Sequence, residues 1–374
     1  MKFGHKSRRN WQVAQAAGSI FRGVGSLPMT DARIDLMHIA CTKPTGGPPV
    51  PLIAAMRGCR AGIVSAVLLL PLLSLPAFAA ESPAAPGQVS SRHITHSFLA
   101  FGGDTYVLDE QGKVTWTYPA DTRDGWRLPN GNFLLAVTRG KAFPGGGAVE
   151  ITPGGKVVFQ YKGTQSEVNT AQRLDNGRTL VTEAGTHPRI LEINPNGKVA
   201  VEVPIQAQTH DLHLQTRMTR KLGNGNYLVP QLLDKVVREY TPAGKIAWEY
   251  KTPESPAECW PFTAIRLENG NTLIDCTHGK ICIEVDQAGK IVWQLSNADL
   301  PEPLLIDVCG AQRLPNGNTV ISSYGSNKPG AVRLIEVTPD KKIVWTYADD
   351  KHHGIHELQI LTTNGKPLKG PAMK

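Results

Sequence analysis

Residues 264–296, AIRLENGNTLIDCTHGKICIEVDQAGKIVWQLS, contain turn signals at short, even intervals. The pair Asn269-Gly270 tolerates the positive φ angles of a tight hairpin, and Gly289-Lys290 ends a later turn. Between the turns, short runs rich in β-branched residues alternate apolar and other side chains, as residues 281–285 do. The stretch therefore predicts a four-stranded antiparallel meander.

Copies of this unit recur along the chain. The Asn-Gly turns begin at Asn130, Asn176, Asn224, Asn269, Asn316 and Asn364, separated by 46, 48, 45, 47 and 48 residues. A later lysine closes the second tight turn of each unit, and three residues on stands an aromatic residue in five of six copies. A glutamate six residues before that lysine recurs in five copies, so we interpret it as structural.

Repeats of four short strands at this spacing predict a β-propeller. The last copy has an innermost strand near 356–361 and little more, whereas the first has strands 97–102 and 105–108 without an innermost strand. We therefore predict an all-β, six-bladed propeller of four-stranded antiparallel blades. C-terminal strand A joins N-terminal strands B, C and D and closes the ring without an open edge.

The positive charge of the chain is concentrated at its beginning. The formal charge is +8, but residues 1–79 contain nine of the 40 basic residues and two of the 32 acidic ones. The charges of the 31 basic and 30 acidic residues that follow nearly cancel. This balance argues against nucleic-acid binding, which needs a basic field.

Residues 56–79 have the order of a secretory signal: Arg57 and Arg60, an apolar run, and then Ala77-Phe78-Ala79. The run is shorter than the roughly 20 residues of a membrane span. We expect cleavage there, no stable span afterwards, a periplasmic or secreted protein, and one propeller domain over residues 80–374. Residues 1–55 show no hydrophobic period, and we expect them to lie outside the mature protein because translation starts at Met56.

Export leaves four cysteines, at Cys259, Cys276, Cys282 and Cys309. Four cysteines allow three pairings, and we expect disulfides or buried inert thiols. Their spacing lacks the paired C-x2-C of structural zinc modules, so no metal site is assigned to them.

The irregular loops predict where the protein binds a ligand. In each blade the Asn-Gly and Gly-Lys turns share one face, so the connections between blades (D-A connections) and the B-C turns share the other. Seven of the nine histidines beyond residue 79 fall on this second face. Of these, His187 and His278 can equally be ordinary turn residues.

We name His210, Arg217 and His356 as catalytic candidates, because they lie in irregular loops or strand entries aimed at the axis. Ligand-binding candidates from the same loops and turns are Asp211, His213, His187, His353, Glu357, Trp260, Asn169 and Arg123.

Three chemistries fit such a face. Imidazoles suit a divalent metal, although nothing in the loops fixes a coordination geometry. A histidine nucleophile or base with Arg217 on an anionic oxygen suits group transfer. Plain recognition needs only aromatic and polar groups around a pocket, and Trp260, Phe262, Trp126 and Tyr324 are available.

The phrases RLPNGNFL, RLENGNTL and RLPNGNTV, with AGKIAWEY, AGKIVWQL and KKIVWTY, resemble PQQ-like (quinoprotein-type) propeller repeats. Among these they are most similar to six-bladed arylsulfotransferase-like proteins. Quinone dehydrogenases of this superfamily have eight blades and a disulfide between adjacent cysteines, which this sequence lacks, so PQQ is not expected.

The arylsulfotransferase-like resemblance implies sulfate transfer by channel histidines and an arginine, with a His-Asp pair ahead of an LPNGN strand. Here His210-Asp211 precedes LGNGN at 222–226, with Arg217 between them. The extra residues and Gly223 in place of proline depart from that pattern.

Our first expectation is an exported propeller that recognises a small organic or carbohydrate ligand at a histidine-rich axial mouth, with no cofactor. Group transfer of the arylsulfotransferase-like kind and a protein-protein interaction scaffold are the alternatives.

Overall fold

The computed structural model describes residues 87–325 and 328–374, and the elements there are β-strands apart from two single-turn 3-10 helices. None of the helices in these residues is long and apolar enough to cross a membrane. The predicted signal at 56–79 and the segment 1–55 lie outside the described residues.

The strands form six sheets around a central axis. Three strands of blade 6 and one outer strand of blade 5 come first in the chain: β1 (Gln88–Ser90), β2 (His96–Gly102), β3 (Thr105–Leu108) and β4 (Val114–Tyr118). Blade 1 contains β5 (Thr122–Arg127), β6 (Phe133–Val137), β7 (Gly147–Ile151) and β8 (Val157–Lys162). Blade 2 contains β9 (Glu167–Arg173), β10 (Thr179–Ala184), β11 (Arg189–Ile193) and β12 (Val199–Pro204).

The first 3-10 helix, Leu212–Leu214, leads into blade 3. Blade 3 contains β13 (Arg220–Lys221), β14 (Tyr227–Gln231), β15 (Val236–Tyr240) and β16 (Ile246–Lys251). Blade 4 contains β17 (Cys259–Arg266), β18 (Thr272–His278), β19 (Ile281–Val285) and β20 (Ile291–Ser296), followed by the second 3-10 helix, Asn297–Asp299. Blade 5 contains β21 (Val308–Arg313), β22 (Thr319–Ser323), β23 (Val332–Val337) and β24 (Ile343–Ala348), and the chain then enters β25 (Ile355–Thr363) and β26 (Lys366–Pro367).

The ring closes as the sequence predicts. Strand β25 pairs antiparallel with β2, from His96 opposite Thr363 to Gly102 opposite Ile355. Blade 6 thus takes its innermost strand from the end of the chain and its outer three from the beginning. Two additions were not predicted: β1 extends blade 5 on its outer edge, and β26 pairs with β25 on the axial side.

Five of the six Asn-Gly turns differ in detail from the expected two-residue hairpin, whereas at Asn364-Gly365 both residues have a positive φ and Thr363 pairs directly with Lys366. At Asn269-Gly270 only the glycine has a positive φ, of +86°. Leu267 donates its N–H to the carbonyl of Asn271, and Gly270 donates to the carbonyl of Leu267. This is a longer turn whose last residue needs the left-handed region, so glycine is required there while asparagine is not required for its φ.

The repeated asparagines serve another purpose. Glu284 accepts hydrogen bonds from Asn269 Nδ2 at 3.3 Å and Asn271 Nδ2 at 2.7 Å, and Arg313 of the next blade donates to its other oxygen at 2.9 Å. Glu150 and Glu239 repeat the arrangement with Arg173 and Arg266. The glutamate therefore ties its own turn to the following blade, as the structural reading predicted.

The core consists of apolar layers between neighbouring blades. Around blades 5 and 6, Phe98, Tyr106, Trp345 and Leu358 are buried together. Trp293 packs partly buried against the neighbouring core and donates its indole N–H to the carbonyl of Pro339 in the next blade, at 2.9 Å. The four cysteines are free, and all are buried.

Candidate functional site

A cavity of about 370 Å³ opens at the end of the axis where the D-A connections and B-C turns meet. We call it the axial cavity. It is lined by residues that come from four blades and two loops: Gly102, Gly103, Asp121, Thr122, Arg123, Thr138, Arg139, Glu167, His213, Tyr324 and His356. Three of the sequence candidates, Arg123, His213 and His356, therefore share one cavity.

His213 lies at the rim, held by contacts on both ring nitrogens. The 3-10 helix that carries it is capped by Asp211, whose carboxylate accepts from the backbone N–H groups of His213 and Leu214. Nδ1 of His213 lies 2.7 Å from Glu167 Oε1, and Nε2 lies 3.2 Å from Arg217 Nη2. Because a guanidinium can only donate, Nε2 is the acceptor and the ring proton is on Nδ1, donated to Glu167.

Arg217 lies behind His213 and is only 2% exposed. Its Nη1 donates to the main-chain oxygens of His213 and Thr216, while its Nε has no hydrogen-bond partner. Burial lowers the pKa of Arg217 to about 10, and the positive charge of Arg123 contributes to this shift. The guanidinium is thus a buried cation whose partners are neutral groups.

His356 forms part of the cavity wall at the start of β25 and is 8% exposed. Tyr324 stacks on its ring at 3.9 Å between centroids, and Phe262 lies nearly parallel to it at 5.7 Å. Burial, reinforced by the charges of Arg123 and Arg217, lowers the pKa of His356 well below its usual value. The imidazole is therefore neutral at neutral pH.

Arg123 stands at the entry of β5, with Nη1 3.5 Å from Nε2 of His356. Within the described part of the chain, neither Arg123 nor Arg217 forms an ion pair with a carboxylate. Glu167 is an acid beside these two arginines. Burial opposes its ionisation, but the hydrogen bond from His213 and the charges of both arginines lower its pKa. The Arg123 guanidinium thus lines the cavity and that of Arg217 lies behind its wall, while the lining also contains Arg139 and the carboxylates of Asp121 and Glu167.

The remaining sequence candidates do not line the cavity. His210 and His187 are exposed in their loops, and His353 is exposed and bonded to Asp104 at 2.9 Å. Trp260 is half-buried and stacks on His278 at 4.2 Å. Among the candidates, Asn169 is fully buried and donates to the main-chain oxygen of Thr216, beside Arg217.

Eight of the eleven lining residues were not named among the sequence's site residues, and two of these, Glu167 and Tyr324, were visible in the sequence. Glu167 is the one acid of the D-A connection GTQSEVN. Tyr324, noted only as an available aromatic residue, follows the B strand of blade 5 and reaches the axis through its stacking on His356. A search for acids able to orient a histidine in these loops would have found the first.

Below the cavity lies a buried cluster of charges, which we call the axial charge cluster: Asp124, Arg220, Glu357 and Lys374. Arg220 holds Asp124 through two bonds of 2.8 and 3.0 Å, and its Nη2 lies 3.6 Å from Glu357 Oε2. Lys374 Nζ lies 3.4 Å from Asp124 Oδ1 and 3.7 Å from Glu357 Oε1. Glu357, predicted as a ligand contact, thus belongs to this cluster and not to the cavity lining.

A second cavity, of about 420 Å³, lies on the opposite face beside the Asn-Gly turns, and residues 368–373 form one of its walls. In residues 87–325 and 328–374, no group of three or more His, Cys, Asp or Glu side chains is arranged to hold a metal ion.

No family model matches the sequence, and no curated protein matches it. Solved structures share the fold. A protein of unknown function from Bacteroides caccae superimposes with a TM-score of 0.63 at 23% identity, covering 74% of this chain and 100% of that one.

Two lyase structures are more distant. A catalytically inactive histidine-to-alanine variant of virginiamycin B lyase from Staphylococcus aureus, solved with quinupristin, has a TM-score of 0.51 at 14% identity, covering 72% of this chain and 92% of that one. A streptogramin B lyase has a TM-score of 0.50 at 13% identity, covering 71% and 89%. At these identities the comparisons show a β-propeller fold.

Proposed function

We propose that this protein binds a small organic anion, such as a carboxylate, a sulfate ester or an acidic sugar, in the axial cavity. The observation that carries the proposal is that Arg123 lines the cavity and Arg217 is buried behind its wall, each without an ion-pair partner among the described residues. Two like charges brought together in a partly buried site repel each other, and an anion bound in the cavity would relieve that repulsion.

The rest of the cavity suits such a ligand. The planar guanidinium fork matches the oxygens of a carboxylate or sulfate. Tyr324 and Phe262 place aromatic surface around His356 for the organic part. A cavity of about 370 Å³ lies within the usual range for small-molecule sites. An acidic sugar would unite this reading with the carbohydrate ligand expected from the sequence.

Matched pairs of ligands test the proposal by isothermal titration calorimetry and thermal shift. Phenyl sulfate and benzoate are compared with phenol and benzyl alcohol, and glucuronate with glucose. We expect the anion of at least one pair to bind and raise the melting temperature while its neutral partner does neither. Binding of the neutral partners alone, or of none of the six, would overturn the proposal.

Group transfer of the arylsulfotransferase-like kind is a second candidate, favoured by the neutral state of His356. A neutral imidazole can attack sulfur: a nitrogen–sulfur bond forms, the aryl oxygen–sulfur bond breaks, and a phenoxide leaves. Attack by a second phenol then forms a new oxygen–sulfur bond and breaks the nitrogen–sulfur bond, and the proton of that phenol passes to the released phenoxide or to water. Incubation with 4-nitrophenyl sulfate and phenol tests this step. We expect nitrophenol release that is lost in His356→Gln. No release over hours at high enzyme concentration would reject it.

The inactive histidine variant among the lyase structures indicates that a propeller histidine can support bond cleavage in another protein. The location of the activity rests on the secretory pattern at 56–79, from which we propose export. Amino-terminal sequencing of the native protein tests it, and a mature protein that begins upstream of Met56 would contradict it.

A further inference from the structure

We infer that Lys374, delivered from the opposite face of the propeller, is a positioning residue for the axial cavity. This inference rests on the proposed anion site, and it concerns how that site is held. The axial charge cluster below the cavity holds in place the same strands that carry the binding groups.

The segment 366–374 reaches the axis from the Asn-Gly face. Strand β26 pairs with β25, Leu368 donates to the carbonyl of Leu361 at 3.2 Å, and Arg313 donates to the carbonyl of Met373 at 3.0 Å. The side chain of Lys374 is completely buried, with its ammonium 4.3 Å from the ring centre of Trp126. A lysine is almost never so buried unless its charge is compensated.

Each partner of Lys374 lies close in sequence to a cavity residue. Asp124 follows Arg123 on β5, and Glu357 follows His356 on β25. Arg220, whose Nε donates to the main-chain oxygen of Lys374 at 2.7 Å, stands three residues after Arg217. The cluster therefore joins the innermost chain segments of blades 1, 3 and 6, which are the segments that bring Arg123, Arg217 and His356 together.

The side-chain charges of the cluster are balanced only with Lys374 present. Two cations, Lys374 and Arg220, face two carboxylates, Asp124 and Glu357. Burial raises the pKa of Glu357, while Lys374 and Arg220 oppose that rise. Loss of Lys374 would leave an uncompensated buried carboxylate next to His356, which costs free energy unless the carboxylate takes up a proton or β25 shifts.

The charged groups that face Glu357 are accounted for as follows. Lys374 and Arg220 lie on one side, Asp124 adds negative charge, burial raises the pKa of the neighbouring Asp275 well above its usual value, and His356 precedes Glu357 in the strand. Without Lys374, ionisation of Glu357 would place a net negative charge beneath the anion site. Affinity for an anion would then fall as the pH rises, which a purely structural loss would not produce.

The experiment measures benzoate and phenyl sulfate affinity from pH 5 to pH 9 in the full chain. For Lys374→Met we expect about tenfold weaker binding at pH 8 and a progressive recovery toward acid pH. The matched control Lys369→Met removes an exposed lysine of the same segment and should bind as the wild type does.

The double variant Lys374→Met, Glu357→Gln keeps the cluster neutral. It should fold, bind within about threefold of the wild type and lose the added pH dependence. The proposal is overturned if Lys374→Met binds like the wild type at every pH. It is equally overturned if the double variant still binds about tenfold more weakly than the wild type. The double variant also tests the proposal if the single variant does not fold. Glucuronate replaces these two anions if the wild type binds it alone; if the wild type binds none of the three, the anion site itself is rejected and this inference with it.

Discussion

Arg217 donates a hydrogen bond to Nε2 of His213 across 3.2 Å, so a fully buried guanidinium determines which nitrogen of a rim imidazole holds its proton. The other nitrogen, Nδ1, then donates to Glu167 at 2.7 Å. These two hydrogen bonds connect the protein interior to the cavity rim and fix His213 in one tautomer. In this arrangement the Arg217 guanidinium has no carboxylate partner among the described residues, which favours an anionic ligand.

The tautomer is directly measurable. In protein labelled with ¹⁵N-histidine, the neutral ring of His213 should show its proton on Nδ1, assigned by comparison with His213→Gln. Glu167→Gln, which replaces an acceptor oxygen by an amide, should shift the tautomer equilibrium toward Nε2–H or broaden the signals. An Nε2–H tautomer in the wild type would contradict the assigned hydrogen bonds.

Arg123 should contribute to affinity far more than to stability. Its side chain makes one 3.5 Å contact, to His356, whereas a bound carboxylate would receive a charge-assisted bond. We expect Arg123→Gln to raise the Kd for the best anionic ligand by about tenfold to a hundredfold, with little change in melting temperature.

The matched control is Arg92→Gln, an exposed arginine that does not line the cavity. Calorimetry on both variants separates a specific contact from general electrostatic attraction. Equal losses in the two would indicate only a diffuse positive field.

We predict that His356 takes up a proton when an anion binds in the axial cavity. Burial, with the charges of Arg123 and Arg217, lowers the pKa of His356 well below its usual value of about 6.5. A bound anion would oppose those charges and raise this pKa again. Affinity should therefore increase as the pH falls below about 6.5, and calorimetry in two buffers of different ionisation enthalpy should detect the proton taken up.

The same group affects stability in the absence of ligand. Because the unfolded chain protonates at this histidine before the folded protein does, stability should fall as the pH decreases from about 6.5 toward the folded-state pKa. His356→Gln should remove that part of the pH dependence. An unchanged stability profile in the variant would show that His356 is not buried as a neutral ring.

The blade glutamates should matter for folding and not for binding. Glu284 bonds the turn of its own blade and Arg313 of the next, and these bonds lower its pKa although burial opposes them. Its contribution to stability is present above the unfolded pKa, near 4.3, and is lost as the pH falls through the lower folded value.

Glu284→Gln should lower the free energy of unfolding by about 1–3 kcal/mol at pH 7, measured by urea denaturation. The difference from the wild type should shrink toward acid pH. Glu268→Gln, which changes an exposed glutamate of the same blade, should be neutral. A loss of ligand affinity in Glu284→Gln without a loss of stability would argue for a role beyond the blade.

The four cysteines should be unreactive in the folded state. Burial raises the pKa values of Cys276, Cys282 and Cys309 well above their usual value, which removes the reactive thiolate. In protein that begins at residue 80, we expect Ellman's reagent to modify four thiols after unfolding in guanidinium and none within minutes in the native protein. Recovery of fewer than four after unfolding would indicate disulfides, which the sequence left open.

The sequence was sufficient for the fold because its signals are local and repeated. Gly270 and its equivalents must adopt a positive φ, and each repeat places them at the same point of the hairpin. The innermost strand near His356 had no partner within its own repeat, which predicted the pairing with 96–102. The added strand β1 was not predictable, since three residues carry too little pattern.

The site was predicted only in part. Arg123, His213 and His356 were named, and the structure places them in the lining of one cavity, with Arg217 behind His213. His210 was grouped with them because loop residues were assigned by position alone, whereas the direction of a side chain depends on local bonds. Asp234 accepts a hydrogen bond from the backbone N–H of Thr209, which precedes His210. No periodic pattern in the sequence indicates that contact.

Lys374 was invisible to the same reasoning. A lysine among turn-forming residues is normally solvated, and nothing local indicates that residues 366–374 turn back into the axis. Its compensation depends on Asp124, 250 residues away in sequence. Long-range charge pairing of this kind leaves no periodicity, so it is found only once the ring is assembled.

The closure of blade 6 has a consequence for biosynthesis. Thr363 and His96 bond across 267 residues, so the last innermost strand is made long after its partners leave the ribosome. Until then a nascent chain presents Arg123 and Arg217 but has neither His356 nor a closed circle around them. Binding competence should therefore arise late and in one step, and the unpaired edge of β2 should be the point at which chaperones act on the growing polypeptide.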